Sequence, residues 1–296
     1  MTSTSQSQTA EARPRQRAGL YWRRLRRQRL SLVAAVVFGL FLLAAVFGTF
    51  LAPYDYAAQD AAVRLEPPSL AHPMGTDNFG RDVFSRVLVG TREVFLLGGA
   101  GTLMAAIIGT ALGLMSGYAG RLWDETIMRL LDVLLAFPAL LLAMVLLATT
   151  GPSPLNLVFV ITVLYLPMFA RIARSMVLDL RTREFVEAAR LRGETRGYIL
   201  FREILPNAVP PLLVEASVRF AYSIFLVASL GFLGLGVQPP SPDRGRQVNE
   251  ARTFFDSAPW MLLFPAAAIS ILVIATSLMT DGLRHVFSPP GTDRSR

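Results

Sequence analysis

Cysteine and lysine are both absent from these 296 residues, and histidine occurs only as His72 and His285. Without cysteine the chain has no disulfide, no thiolate metal site and no thiol nucleophile. Without lysine it cannot hold the Gly-x-x-x-x-Gly-Lys-Ser/Thr loop that cradles nucleotide phosphates. The two histidines lie far apart and outside the apolar runs, which argues against a His-rich metal site within one chain. Charge is scarce as well: 17% of the residues are charged, 53% are hydrophobic, and mean hydropathy is +0.46. That is far more apolar surface than one soluble core requires, and it predicts a polytopic membrane protein. A pI near 10.7 invites a nucleic-acid reading, but the arginines cluster beside apolar segments, which is the pattern of charge that orients a chain in a membrane.

A bilayer core about 30 Å thick takes roughly 20 helical residues to cross. Six stretches approach or exceed that length: residues 30–52, 94–118, 127–149, 155–172, 208–237 and 258–278. The expected fold is therefore all-α with six transmembrane helices. The first run is too long for a cleavable signal, and Pro53-Tyr54-Asp55 offers no small-residue cleavage site, so it is expected to stay as an anchor. Residues 1–30 carry eight Arg against one Glu, which predicts a cytoplasmic N-terminus. Six crossings then place residues 53–93 outside, with four Arg against six acids, and residues 171–206 inside, with eight Arg against five acids. The domain plan is an Arg-rich cytoplasmic tail over 1–29, a first helix over 30–52 and an extracytoplasmic loop over 53–93. A five-helix core over 94–282, with a cytoplasmic segment at 179–206, and a cytoplasmic tail over 283–296 complete it.

The segment at 179–206 is charged and helical between two apolar runs. Thr182 is placed to cap a helix over 183–192, with Glu184 near its positive end and Gly193 available for a left-handed cap at its close. Phe185, Ala188 and Ala189 fall on one face, where small alanines let a partner approach the backbone. Thr195 is placed to cap a second helix through Leu205, and Pro206 suits the start of the next span. The result is a helix-turn-helix bracket with Glu187 beside an apolar patch. The same pattern also fits an amphipathic hairpin resting on lipid.

Residues 66–92 combine Pro67-Pro68, Pro73, Gly75, Gly80 and alternating charge, which predicts an ordered loop with a short amphipathic helix from Arg81 toward the second span. Asp77 and Asp82 are placed to meet Arg81 and Arg86, or to face a partner. In the fifth span Glu215 and Arg219 stand one turn apart, where an unpaired charge at the bilayer centre costs roughly 2.5–3.5 kcal/mol on insertion scales. They are expected to pair or to line a wet route. Gly231, Gly234 and Gly236 thin that span toward its outer end, for close packing or a gate-like bend.

Glu187-Ala188-Ala189-x-x-x-Gly193 with Leu205-Pro206-Asn207 resembles, without a gap, the cytoplasmic loop of binding-protein-dependent ABC importer permeases. His72-Pro73-Met74-Gly75-Thr76-Asp77 with Gly80-Arg81-Asp82-Val83 resembles the external segment of the C-type subunit in the dipeptide/oligopeptide branch. Phe137-Pro138, Phe232-Leu233-Gly234-Leu235-Gly236-Val237 with Pro239-Pro240, Ala258-Pro259-Trp260 and Asp281-Gly282-Leu283-Arg284 extend the likeness to residues 20–290. The resemblance implies a non-catalytic importer half paired with a homologous B-type permease. Two cytoplasmic ATPase subunits, which bind the ATP and magnesium, and an extracytoplasmic binding protein would complete the assembly. It further implies coupling to the ATPase through Glu187, Ala188, Ala189, Gly193, Leu205 and Pro206, and an external loop that includes Gly75, Thr76, Asp77, Gly80, Arg81 and Asp82. The branch handles di- and oligopeptides, while relatives carry nickel, glutathione or sugars.

The chain departs from the family pattern at Val227, where an acid is usual, at Gly231 in place of Ser, and at Thr280 and His285 in place of Gly and Asp. A charged substrate contact in the fifth span is therefore not carried over from the family. The other classes fare worse: residues 94–118 and 258–278 hold no acid, and the spans hold no histidine for a membrane hydrolase or an ion-coupled carrier. A receptor or scaffold that binds a cytoplasmic partner through residues 183–206 is the alternative.

Overall fold

The computed structural model of the chain describes residues 29–287. With no water in the hydrocarbon to serve backbone groups, spanning segments close their own hydrogen bonds as helices. Among the described residues the helices are α1 (Arg29–Leu51), α2 (Val83–Ala119), α3 (Arg121–Leu135), α4 (Ala139–Thr150) and α5 (Pro154–Leu180). They continue as α6 (Glu184–Leu191), α7 (Arg196–Phe232), α8 (Arg244–Ala251) and α9 (Trp260–Phe287). Five of these, α1, α2, α5, α7 and α9, are each long and apolar enough to cross a bilayer, and α3 with α4 form a sixth candidate.

The bundle closes around α2 and α5. Gly109, Gly113 and Gly117 recur every fourth residue of α2, and a Cβ on each would fall within 2.8 Å of an α5 atom. Such a small-residue stripe lets two helices pack backbone to backbone in lipid, where no hydrophobic force drives association. Leu147, Leu157, Ile161, Phe169, Leu212 and Leu272 fill the space between α4, α5, α7 and α9. Phe38 of α1, Phe95 of α2 and Phe220 of α7 meet as a ring triad with centroids 5.4–6.2 Å apart, which ties α1 to the core.

Several expectations need correction. The third span is not one helix, because α3 and α4 meet at 91° across Ala136-Phe137-Pro138. Proline disfavours the helical region for the residue before it and cannot donate back to the previous turn, so the apolar run breaks there. The separate short helix expected from Arg81 is absent: α2 begins at Val83, capped by the Asp82 carboxylate on the Ser85 amide, and runs 37 residues without interruption. The second bracket helix does not stop at Leu205 either. A π-turn at Ile199–Ile204, with the Leu205 amide reaching the Leu200 carbonyl, carries the chain past Pro206 into one helix of 37 residues. The last span continues to Phe287, so the expected 283–296 tail begins as helix. The expected 1–29 tail, except Arg29, and residues 288–296 lie outside the described residues, as does the side chain of His285.

Residues 52–82 and 233–259 gather at one end of the bundle, termed the loop end, where Trp260 Nε1 donates to the Thr76 carbonyl at 3.2 Å. Residues 181–204 form the opposite, bracket end. At the loop end α8 is wedged inward. Its capping residue Asp243 presses its carboxylate against Gly231 and Gly236, and Arg244 is wholly buried, donating to the Val87 carbonyl and the Thr91 hydroxyl of α2 over the ring of Phe41. Burial raises the Asp243 pKa above its ordinary value and lowers that of Arg244 to about 10.

Candidate functional site

The bracket end is built from α6 and the start of α7. Glu187 and Glu184 lie in the first turn of α6, where carboxylates favour the positive end of the helix dipole. Arg183, rather than Thr182, occupies the capping position and makes no side-chain cap; the Thr182 hydroxyl turns back to the Asp179 carbonyl at 3.2 Å. Gly193 ends the helix as expected, at φ +76°, with the Gly193 amide on the Arg190 carbonyl at 2.9 Å and the Glu194 amide on the Ala189 carbonyl at 3.2 Å. Those two bonds are the paired closure that requires a left-handed residue at this position. Thr195 also acts as expected, its hydroxyl accepting from the Tyr198 amide at 3.3 Å.

The faces of α6 differ from the expected ones. Val186 and Ala189 are fully buried against Leu114 of α2, Ala173 and Val177 of α5, and Ile199 and Ile204 of α7. Phe185, Glu187, Ala188 and Leu191 are exposed. Ala188 and Ala189 therefore do separate work: Ala188 keeps the outward face shallow, and Ala189 lets α6 sit close against its own bundle. The outward face carries Leu191 at 90% and Phe201 at 66% exposure, with Glu187 making no ion pair among the described residues. Leu205 is half-buried and bridges the bracket to the main core, while Pro206 is exposed. The Asn207 amide donates to the Glu203 carbonyl at 2.7 Å beside it. The anchored helix thus ends in an exposed apolar patch ringed by charge, a surface of the kind that suits docking.

At the loop end the expected residues form a network. The Asp77 carboxylate accepts from the Phe79 and Arg81 amides at 2.8 and 3.0 Å and from Arg81 Nε at 2.6 Å, with Arg86 Nε at 3.7 Å. Arg81 reaches on to Glu250 at 3.2 Å, a partner that sequence reading missed because it stands 169 residues away. Asp82 pairs with His72 Nδ1 at 2.9 Å, so that histidine is engaged by a carboxylate. Thr76 bonds the Val63 carbonyl and the Glu66 amide, and Gly75 lies against Trp260. A Cβ on Gly80, at φ +72°, would fall 1.8 Å from the Asp60 carbonyl oxygen. These residues chiefly hold the loop to α8 and α9.

Within the span the expected pair forms: Arg219 Nε meets Glu215 Oε1 at 2.5 Å. Tyr165 and Tyr222, which sequence reading passed over, place their rings 5.9 and 5.5 Å from the guanidinium. Gly231, Gly234 and Gly236 finish α7 and receive α8. Gly234, at φ +80°, closes the helix, with the Gly234 amide on the Gly231 carbonyl and the Leu235 amide on the Leu230 carbonyl, and the other two accommodate the Asp243 carboxylate. Of the family departures, Val227 is buried in the apolar core, a serine at Gly231 would strike Asp243, and Thr280 is buried with its hydroxyl on the Thr276 carbonyl.

A helical bundle with several spans and an anchored, outward-facing bracket at one end is the architecture of a transport permease. The chain belongs to the family described as binding-protein-dependent transport system inner membrane component, which it matches over residues 109–290. Residues 16–68 match the N-terminal transmembrane domain of oligopeptide transport permease C. It is 40% identical over 268 residues to the dipeptide transport system permease protein DppC of Alkalihalophilus pseudofirmus, covering 90% of this chain and 88% of that one. It is 44% identical over 271 residues to the glutathione transport system permease protein GsiD of Pectobacterium atrosepticum, covering 91% and 90%. Against the probable D,D-dipeptide transport system permease protein DdpC of Escherichia coli K12 the identity is 39% over 287 residues, covering 95% and 96%. The protein is thus a multi-pass inner-membrane permease subunit of an ABC importer, non-catalytic and with no cofactor of its own.

Proposed function

We propose that this permease forms half of the pathway of an ATP-driven importer for short peptides, beside a homologous B-type permease, above two cytoplasmic ATPase subunits and beneath an extracytoplasmic binding protein. Both termini face the cytoplasm in this reading, which the excess of Arg over acids in residues 1–30 and 171–206 supports. Peptide cargo is supported by the relatives, whose names specify dipeptides, D,D-dipeptides and glutathione. The carrying observation is α6: buried on Val186 and Ala189, it presents Phe185, Glu187, Ala188 and Leu191 outward from the bracket end.

Because α6 is welded to α2, α5 and α7 through that buried side, a push on its outward face moves the bundle as a body. ATP-driven closure of the ATPase pair then tilts the spans between inward- and outward-facing states. The continuous α7, which runs on through its π-turn, links the bracket to the loop end. The test is mass-spectrometric identification of what co-purifies with the tagged chain from gently solubilised native membranes, beside peptide uptake by the recovered assembly. A second permease and ATPase subunits are expected with wild type, and uptake is expected to be lost in Glu187→Arg. Recovery of the chain without an ATPase, from membranes that yield other ABC complexes intact, contradicts the proposal.

A further inference from the structure

The Glu215–Arg219 pair is placed oddly for a structural ion pair. Arg219 lies 13 residues before the end of α7 at Phe232, roughly 20 Å along a helix long and apolar enough to cross a bilayer. Its side chain keeps 21% of its surface exposed and that of Glu215 14%, so neither is sealed inside this chain. Only Nε of the guanidinium engages Glu215, and its two Nη groups meet no acceptor among the described residues. Tyr165 flanks the guanidinium from α5 and Tyr222 from α7. Tyr222 and Phe225 are exposed on the adjoining face, where a cavity of about 280 Å³ opens between α7 and α9, lined further by Ser277, Asp281 and Arg284 among apolar side chains such as Val218 and Val273. Charged, phenolic and hydroxyl groups at this depth are unsuited to lipid and mark a face turned to a polar route.

The geometry points to Arg219 as a way-station for the free carboxylate of a peptide in transit, with Glu215 holding the guanidinium until cargo arrives. This rests on the peptide-importer reading above. The open Nη groups give Arg219 a planar fork that matches a carboxylate, and the freed Glu215 carboxylate and the Tyr222 ring face suit the ammonium at the other end of a short peptide. A dipolar peptide exchanges one internal ion pair for two external ones. The site is neutral both empty and filled, so neither state strands a buried charge, and cargo is released as readily as it is held.

The test uses the whole assembly in proteoliposomes with its binding protein saturated, and follows radiolabelled dialanine, trialanine and their carboxyl-terminal amides. Arg219→Gln is expected to slow import of the free peptides at least ten-fold and that of any imported amide less than two-fold, relative to wild type. The exchanged pair, Glu215→Arg with Arg219→Glu, keeps the ion pair and so controls for folding; it is expected to assemble yet leave dialanine import at least ten-fold down. Import restored by the exchanged pair assigns the residues a structural role and overturns the inference, as does an equal loss for peptides and amides. An intact wild-type assembly that imports none of these compounds overturns the peptide reading and this site together.

Discussion

The two ends of the bundle carry similar numbers of charged side chains in their key motifs and use them in opposite ways. At the loop end Asp77, Arg81, Arg86, Asp82, His72 and Glu250 are spent on one another, and Gly75 and Gly80 leave no room around them. At the bracket end Glu187 has no ionic partner among the described residues, Leu191 and Phe201 face outward, and a Cβ on Gly193 would meet open space. A segment whose charged side chains pair mainly with one another holds itself in place. One that leaves apolar surface and an unpaired carboxylate on an anchored helix is suited to be half of an interface. In the proposed assembly the loop end would therefore offer a binding protein the outer surface of a stiff cap, whereas the bracket would be completed by the ATPase.

The contrast breaks first at Asp77. Asp77→Ala leaves Arg81 and Arg86 buried without their shared carboxylate, an expected loss of about 3–5 kcal/mol, visible as collapse of yield and of thermal stability in detergent. Neighbouring substitutions then sharpen it. Ala189→Leu overpacks the anchored side of α6 by about 1–3 kcal/mol, while Ala188→Leu leaves stability unchanged and weakens recovery of ATPase subunits. Gly193→Val forces a branched side chain into a left-handed residue, with an expected cost of about 1–2 kcal/mol and reduced ATPase co-purification. Glu187→Arg shifts thermal stability within about 0.5 kcal/mol yet separates ATP hydrolysis from uptake. The smallest effect is the pH response of Asp243. Burial raises its folded pKa above the ordinary 3.8, so between those values the folded chain keeps a proton that the unfolded chain has lost. Stability therefore falls as pH rises through that window, and Asp243→Asn, which retains the helix cap, flattens the slope in pH-dependent melting.

Much of this was legible in sequence where local rules decide. Apolar length marked the spans, Gly193 its left-handed closure, Thr195 its cap, and the four-residue spacing of Glu215 and Arg219 their pairing. What escaped depends on rotation and distance. Whether Ala188 or Ala189 faces outward is set by the cluster of Leu114, Val177, Ile199 and Ile204, which no pattern within α6 reveals. Phe137-Pro138 was visible, but a continuous apolar run concealed a 91° turn. Nothing in the local sequence marks Arg244 for burial, although it enters the bundle between α1 and α2. The glycine stripe of α2 was the signal available for the α2–α5 packing, and it lay inside a run read only for its length.

The absence of cysteine permits the most direct test, because any cysteine introduced is the sole thiol of the chain. Ala188→Cys and Ala189→Cys, each labelled in native membranes with a maleimide photocrosslinker and irradiated, report which side of α6 meets the ATPase. Strong crosslinking of an ATPase subunit from position 188, with little labelling or crosslinking from position 189, is the predicted result. Equal crosslinking from both positions, or from neither in an assembled and active complex, contradicts the account of α6 as the coupling face.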